Sequence, residues 1–293
     1  GSNFKTILTQ TVIVAIGAMG MTLVIVSGGI DLCAGSVVAL ASVVTAKLIE
    51  YNYGFITVIS GTICVGAMVG LVNGAIITAF RMMPFIVTLG MMGIARGLSK
   101  WLANNQTVNP NTPLNSVNHL MDNSQSPLTF FPIPDGVWFV IALAVFMSVL
   151  LRRSVFGRHV FAIGSNENTA RLCGIRVNFN KILIYTLAGA FFGFAGVMQF
   201  SRLTQGDPSV AIGLELQIIA AVVIGGASLS GGSGSIPGSV IGAFMMASLA
   251  NGSSIKDWPN YMQEIIIGIV IILAVGMDKL EPLFQRYLKK QNY

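Results

Sequence analysis

The chain has 293 residues, 54% of them hydrophobic and only 10% charged, with a mean hydropathy of +0.76. Soluble domains carry roughly 25% charged residues, so this composition excludes an ordinary soluble fold and implies an all-α, polytopic membrane protein. The net charge of +6 does not point to nucleic acid, because the basic residues gather in loops and at the C-terminus, where the positive-inside rule reads them.

Apolar runs predict nine membrane segments, in chain order 8–27, 36–50, 54–80, 84–104, 137–151, 181–203, 214–230, 236–252 and 261–277. Some approach the lower limit for crossing a bilayer, about 17 residues. Residues 105–134 carry no Lys or Arg, whereas 152–181 hold Arg152, Arg153, Arg158, Arg171, Arg176 and Lys181 against the single acid Glu167. The first stretch is therefore expected outside the cell and the second in the cytoplasm. Four further spans return the Lys279–Lys290 tail to the cytoplasm, which agrees. Counting backwards puts residue 1 outside with no signal peptide, and predicts an earlier membrane helix that this chain lacks. Lys47, Arg96, Lys100 and Arg202 fall towards the outer ends of their spans and suggest snorkelling or a polar vestibule.

Two interruptions of the apolar pattern match each other. Gly28-Gly29-Ile30-Asp31-Leu32-Cys33-Ala34-Gly35-Ser36-Val37 and Gly231-Gly232-Ser233-Gly234-Ser235-Ile236-Pro237-Gly238-Ser239-Val240 share the form Gly-Gly, five residues, Gly-Ser-Val. Helices broken at membrane depth can line a path for a polar solute. Breaks are expected near 28–36 and 226–238, with Gly28, Gly29, Asp31, Gly35, Gly225, Gly226, Gly231 and Gly232 at them. Both fall at the inner side, as a parallel repeat would. The alternative reading of such glycines is plain helix packing.

The basic stretch contains a short helix with explicit ends, Gly164 to Ile175. Ser165 or Asn166 can cap it, Glu167 sits in its first turn and Gly174 suits the left-handed C-terminal position. It either docks into a cytoplasmic partner or only joins two spans. Cys33, Cys64 and Cys173 have no metal-type spacing and read as weakly polar fillers. His119 and His159 stand alone, so no metal site is expected. No Gly-x-x-x-x-Gly-Lys-Ser/Thr phosphate loop occurs, and no nucleophile, base and orienting group can be placed together. No enzyme activity and no cofactor is expected of this chain.

The sequence resembles the permease subunits of ribose-type sugar ABC importers, within the family that also includes branched-chain amino acid permeases. The residues that carry the resemblance are Met21–Ile25 running into Gly29–Leu32; Pro84–Gly90 with Ala95-Arg96-Gly97; Phe156-Gly157-Arg158 followed by Ala162–Gly164 and Asn166-Glu167; and Ala220–Gly226 with Ser228-Leu229 and Gly231-Gly232. Together they cover about residues 4–275 in the family's order. Cys33-Ala34 and Cys173 depart from its usual Ser-Val and Ser. The resemblance implies about ten membrane helices in the full family, a single permease domain over 1–293, a dimer with a second permease subunit, and an inner-membrane location. It implies cytoplasmic ATP-binding subunits as motors and a periplasmic sugar-binding protein as donor. It also implies that Asn166, Glu167, Arg171 and Gly174 lie in the loop that meets the ATPase.

Asp31 then has two readings, a hydrogen-bond acceptor for sugar hydroxyls or a cap that holds the first break open. Arg96, Arg202, Asp207 and Glu215 are expected to form a polar group near the outer face, meeting cargo or binding protein, or only pairing with one another. Other function classes are branched-chain amino acid or nucleoside import by the same machinery, and an ion-coupled secondary transporter. The last would need several buried acids, and only Asp31 lies well inside the apolar stretches.

Overall fold

A computed structural model describes residues 2–111, 114–121, 133–255, 259, 261–273 and 276. The described residues are helical, in the order α1 Ser2–Val26, α2 Ala34–Glu50, α3 Phe55–Phe80, α4 Pro84–Leu102, α5 Asn115–Asn118, α6 Asp135–Arg153, α7 Val155–Ser165, α8 Glu167–Leu172, α9 Val177–Leu203, α10 Leu214–Ile224, α11 Ile236–Ile255 and α12 Tyr261–Leu273. Residues 112–113 and 122–132 of the predicted segment 105–134, the end of 261–277 and the Lys279–Lys290 tail lie outside the described residues.

The long α1, α3, α6 and α9 are apolar and long enough to cross a membrane. α1 is buried along almost its whole length, whereas α3 and α6 turn large apolar side chains outward, among them Ile56, Met68, Leu71, Val145 and Phe146. A soluble protein does not expose such continuous apolar faces; lipid accepts them, and this is a multi-pass membrane protein. α9 is the central helix, packing on α3, α2 and α1. Its contact with α3 is backbone to backbone: Gly66, Gly70 and Gly74 face Gly189, Gly193 and the main chain of Ile182 and Tyr185, each approaching too closely to admit a Cβ. Small residues permit the close approach that substitutes for hydrophobic drive in lipid.

The segment predicted at 214–230 needs correction. α10 stops at Ile224, because Gly225 ends it and Gly226 takes φ +88°. Its 11 residues span about 16 Å at 1.5 Å per residue, half the hydrocarbon thickness of ~30 Å. The other half is irregular chain. Gly206 pairs with Val108 in an isolated bridge and packs on Ser42, Val43 and Ala46 of α2. Ala211 lies beside Gly35 at the start of the same helix. Between Gly206 and Ala211 the chain therefore runs back along α2 from Ser42 to Gly35, about 10 Å at the helical rise, and α10 starts there. α1 starts six residues before the predicted 8–27 segment, and the remaining apolar segments agree with the helices to within four residues at each described end.

Candidate functional site

Both predicted breaks exist. The chain leaves α1 at Val26 and re-enters helix at Ala34; it leaves α10 at Ile224 and re-enters at Ile236. They also touch. The Gly232 amide donates to the Val26 carbonyl at 2.8 Å, and the backbone of Gly28 lies against Gly231, where an added Cβ would meet it at 2.9 Å. Thr22 and Ser239, one turn or so inside each helix, share a hydrogen bond of 2.7 Å.

A third strand of chain closes this junction. Gly164, in the last turn of α7, packs so tightly on the Val26 carbonyl and the Gly232 amide that a Cβ would overlap the first and come within 2.7 Å of the second. Gly232 in turn lies against Ser165. Gly28, Gly164, Gly231 and Gly232 are thus one backbone-to-backbone contact joining α1, α7 and the approach to α11. Gly29 sits nearby, its missing side chain leaving room for the buried Tyr185 hydroxyl. Gly164 and Tyr185 were not expected in this role; a helical glycine and an aromatic in an apolar run carry no local signal of it.

Past Gly164 the chain forms the pair α7–α8. Ser154 caps α7 by accepting from Gly157 N–H at 2.9 Å. Asn166, of the two candidates, caps α8 by accepting from Thr169 N–H at 2.9 Å, while Ser165 is the last residue of α7. Gly174 takes φ +83° and the Ile175 amide returns to the Ala170 carbonyl at 3.1 Å, the left-handed helix end. Ile163, Ala170 and Val177 form a small core beneath the pair. Glu167 accepts from Lys181 Nζ at 2.7 Å and Arg171 Nη2 at 3.2 Å. Burial works to raise the Glu167 carboxyl, but these two cations outweigh it and hold it below the ordinary carboxylate range. Its charge, and both contacts, are therefore present at neutral pH and fade only as pH falls through that lowered value. Leu172 projects from the end of α8 as an apolar tip with 89% of its surface exposed. Beside it, Arg81, Met82, Met83 and Pro84 of the α3–α4 turn face Glu167, Arg171 and Lys181 across an open cleft of about 570 Å³.

Asp31 is 1% exposed and its Oδ1 accepts from Cys33 N–H at 2.8 Å, closing the turn that leads into α2. The Asn73 amide donates to Cys33 Sγ at 3.2 Å. The same turn is held to α4, where Thr88 Oγ1 accepts from Leu32 N–H at 3.2 Å.

Of the proposed outer polar group, Arg96, Asp207 and Glu215 are electrostatic neighbours. Arg96 Nη1 donates to the Pro208 carbonyl at 3.0 Å and the Val210 carbonyl at 2.7 Å, so it fixes the segment that runs back along α2. Asp207 closes a turn of that segment by accepting from Ser209 N–H at 2.7 Å. Glu215 accepts from Gly213 N–H at 3.2 Å, and its other oxygen is enclosed against Gly35. Glu215 is thus not at the outer face but level with the start of α2. Arg202 stands apart, on α9. Among the described residues no ion pair joins these four. Lys47 pairs with Glu50 at 2.8 Å on the exposed end of α2.

Comparison with known proteins places the chain. The family described as branched-chain amino acid transport system / permease component matches residues 3–275. The ribose import permease protein of Escherichia coli is 37% identical over 277 residues, 94% of this chain and 85% of the relative. The L-arabinose ABC transporter permease protein of Azospirillum brasilense is 36% identical over 287 residues, 98% and 83%. The galactose/methyl galactoside import permease protein of Escherichia coli is 33% identical over 291 residues, 95% and 87%. No solved structure matches. The chain belongs to this permease family.

Proposed function

We propose that this permease is the membrane-spanning subunit of an ABC importer that carries a monosaccharide across the bacterial inner membrane. The observation that carries the reading is the junction at Gly164: α7 and α8, the pair that presents a charged face and an apolar tip to a soluble partner, rests directly on both helix breaks. The relatives that transport ribose, L-arabinose and galactose support sugar over branched-chain amino acids as cargo. An ion-coupled secondary transporter is disfavoured, because the matching family and the relatives are permease components of ABC-type import systems by name.

In this reading two cytoplasmic ATP-binding subunits drive a permease dimer, and a periplasmic sugar-binding protein supplies cargo. This chain hydrolyses nothing and needs no cofactor. The basic end holding α7 and α8 faces the cytoplasm, and 105–134 faces outward, as the distribution of Arg and Lys supports. Leu172, Asn168 and the cleft beside Arg81 meet the ATPase; Asn166 and Gly174 define the ends of α8; Glu167, tied to Arg171 and Lys181, fixes α8 on α9. A push on α8 reaches α7, and at Gly164 it reaches the ends of α1 and the approach to α11 with no soft side chain between. Packed backbone transmits displacement because it cannot absorb it.

Orientation is checked by thiol labelling. With Cys33, Cys64 and Cys173 replaced, a cysteine at Asn111 is expected to react with a membrane-impermeant reagent in intact cells, and one at Asn178 only after permeabilisation. The opposite pattern would reverse the assignment.

Coupling is checked with Glu167→Lys in the complete transporter. The substitution breaks two charge contacts and sets a cation at the positive end of a helix, about 0.3–1 kcal/mol against α8 from the dipole alone. Membrane insertion should be normal while uptake of labelled ribose, L-arabinose or galactose, and the ATPase activity it stimulates, both fall. Wild-type uptake and stimulation in this variant would remove α8 from the coupling path.

A further inference from the structure

A second feature lies away from the glycine junction. A cavity of about 200 Å³ opens between α1, α9, α10, α11 and α12, room for roughly six or seven waters at the ~30 Å³ each takes in the liquid. It receives Gln10 from α1, Gln199 and Arg202 from α9, Gln217 from α10, Ser254 from α11 and Gln263 from α12. The cavity is open on one side, where Ile212 is 74% exposed, and four glutamines from four helices converge on it. Gln199 is only 4% exposed and makes no side-chain hydrogen bond to any described residue. The Gln10 Oε1 is fully enclosed and likewise has no partner among the described residues. Buried amides are almost always hydrogen-bonded in folded proteins, so the Gln199 amide, which lines the cavity, is free to bond what enters it, whereas the enclosed Gln10 Oε1 reaches an occupant only by turning its side chain.

The backbone around the cavity has the form of a transporter site. One wall is Val210, Ala211 and Ile212, the irregular segment that Arg96 holds in place. The first turn of the half-length α10 is another. Short or interrupted helices that start at membrane depth and present an N-terminus to a polar space are where transporters hold their cargo.

We propose that this cavity is a cargo site within the permease that takes a neutral polyhydroxylated molecule; the proposal rests on the sugar-importer reading. Carboxamides both donate and accept, which matches hydroxyl groups that do the same. Arg202 adds a donor only. Among the described residues no Asp or Glu lines the cavity, so an ammonium group or a metal ion there would meet Arg202 with no carboxylate to compensate it, which argues against amino acid or cation as occupant.

The test uses the complete transporter with its ATPase and binding protein, in cells that lack other importers for the probes. Uptake of labelled ribose, L-arabinose, galactose and leucine is measured for the wild type, Gln199→Leu and Gln10→Leu. Because both amides lack partners among the described residues, leucine of similar size should leave membrane yield unchanged. Uptake at low sugar should fall about tenfold, the factor that about 1.4 kcal/mol corresponds to. It should recover at high sugar, and the order of preference among the three sugars should change. Wild-type KM and sugar order in both variants would overturn the cavity while leaving the importer reading intact. So would loss of uptake in step with loss of membrane yield. Uptake of leucine alone by the wild type would overturn both readings.

Discussion

Gly164→Ala is expected to remove most of the folded protein from the membrane. The added Cβ would occupy the position of the Val26 carbonyl oxygen and come within 2.7 Å of the Gly232 amide. Those two atoms are themselves joined by a 2.8 Å hydrogen bond, so neither can retreat without breaking it. Overpacking a well-packed interior costs about 1–3 kcal/mol when side chains can shift; here only backbone is available. A lost buried hydrogen bond adds about 1–3 kcal/mol through its unsatisfied partner. The sum is a large part of the roughly 5–15 kcal/mol that typically separates folded from unfolded states. Gly174→Ala is the control. Its φ of +83° makes alanine unfavourable by about 1–2 kcal/mol, but a Cβ there meets nothing within 4 Å. Membrane yield and thermal stability should order as wild type, then Gly174→Ala, then Gly164→Ala far below. Equal yields for the two variants would show that the junction yields under pressure and cannot act as a rigid link.

The contrast between these two glycines also marks how much the sequence disclosed. Gly174 was legible because its signal is local: a capped helix needs a left-handed end, and the residues from Asn166 to Gly174 contain both caps and the charges between. The breaks were legible because an apolar run interrupted by paired glycines has one physical meaning in lipid. Gly164 was not, since its role depends on Val26 and Gly232, distant in sequence, arriving at the same place. The half-length α10 was hidden for a related reason. Ala227, Leu229 and their neighbours continue the apolar composition of 214–224, so the span drawn to 230 ran over the break expected at Gly225 and Gly226, where the positive φ of Gly226 ends the helix. Glu215 was misplaced because span counting assumes that every loop stays at the surface. The segment from Gly206 to Ala211 instead runs inward along α2, and it can do so because Arg96, counted as a vestibule charge, satisfies two of its carbonyls.

Asp31 provides the sharpest separation between a structural and a cargo-binding residue in the first break. Its Oδ1 is the partner of the Cys33 amide at 2.8 Å, and at 1% exposure no water replaces it. Asparagine in its place would retain the shape and one acceptor oxygen, and Asn and Asp are nearly equal as caps; Asp31→Asn should therefore keep most of both membrane yield and uptake. Asp31→Leu removes the acceptor and strands a buried N–H, costing about 1–3 kcal/mol. Because the same turn sets the start of α2, and Gly35 there abuts Ala211 and Glu215, the disturbance would reach the entrance of α10. Membrane yield of Asp31→Leu should fall, and uptake should fall in proportion to yield with KM unchanged. If Asp31→Asn instead folded like wild type but raised KM for ribose, the lost charge would have to be felt by the sugar itself, since a hydrogen bond to an ionised group is about twice as strong as a neutral one. That result would return Asp31 to the cargo path and require the turn to open during transport.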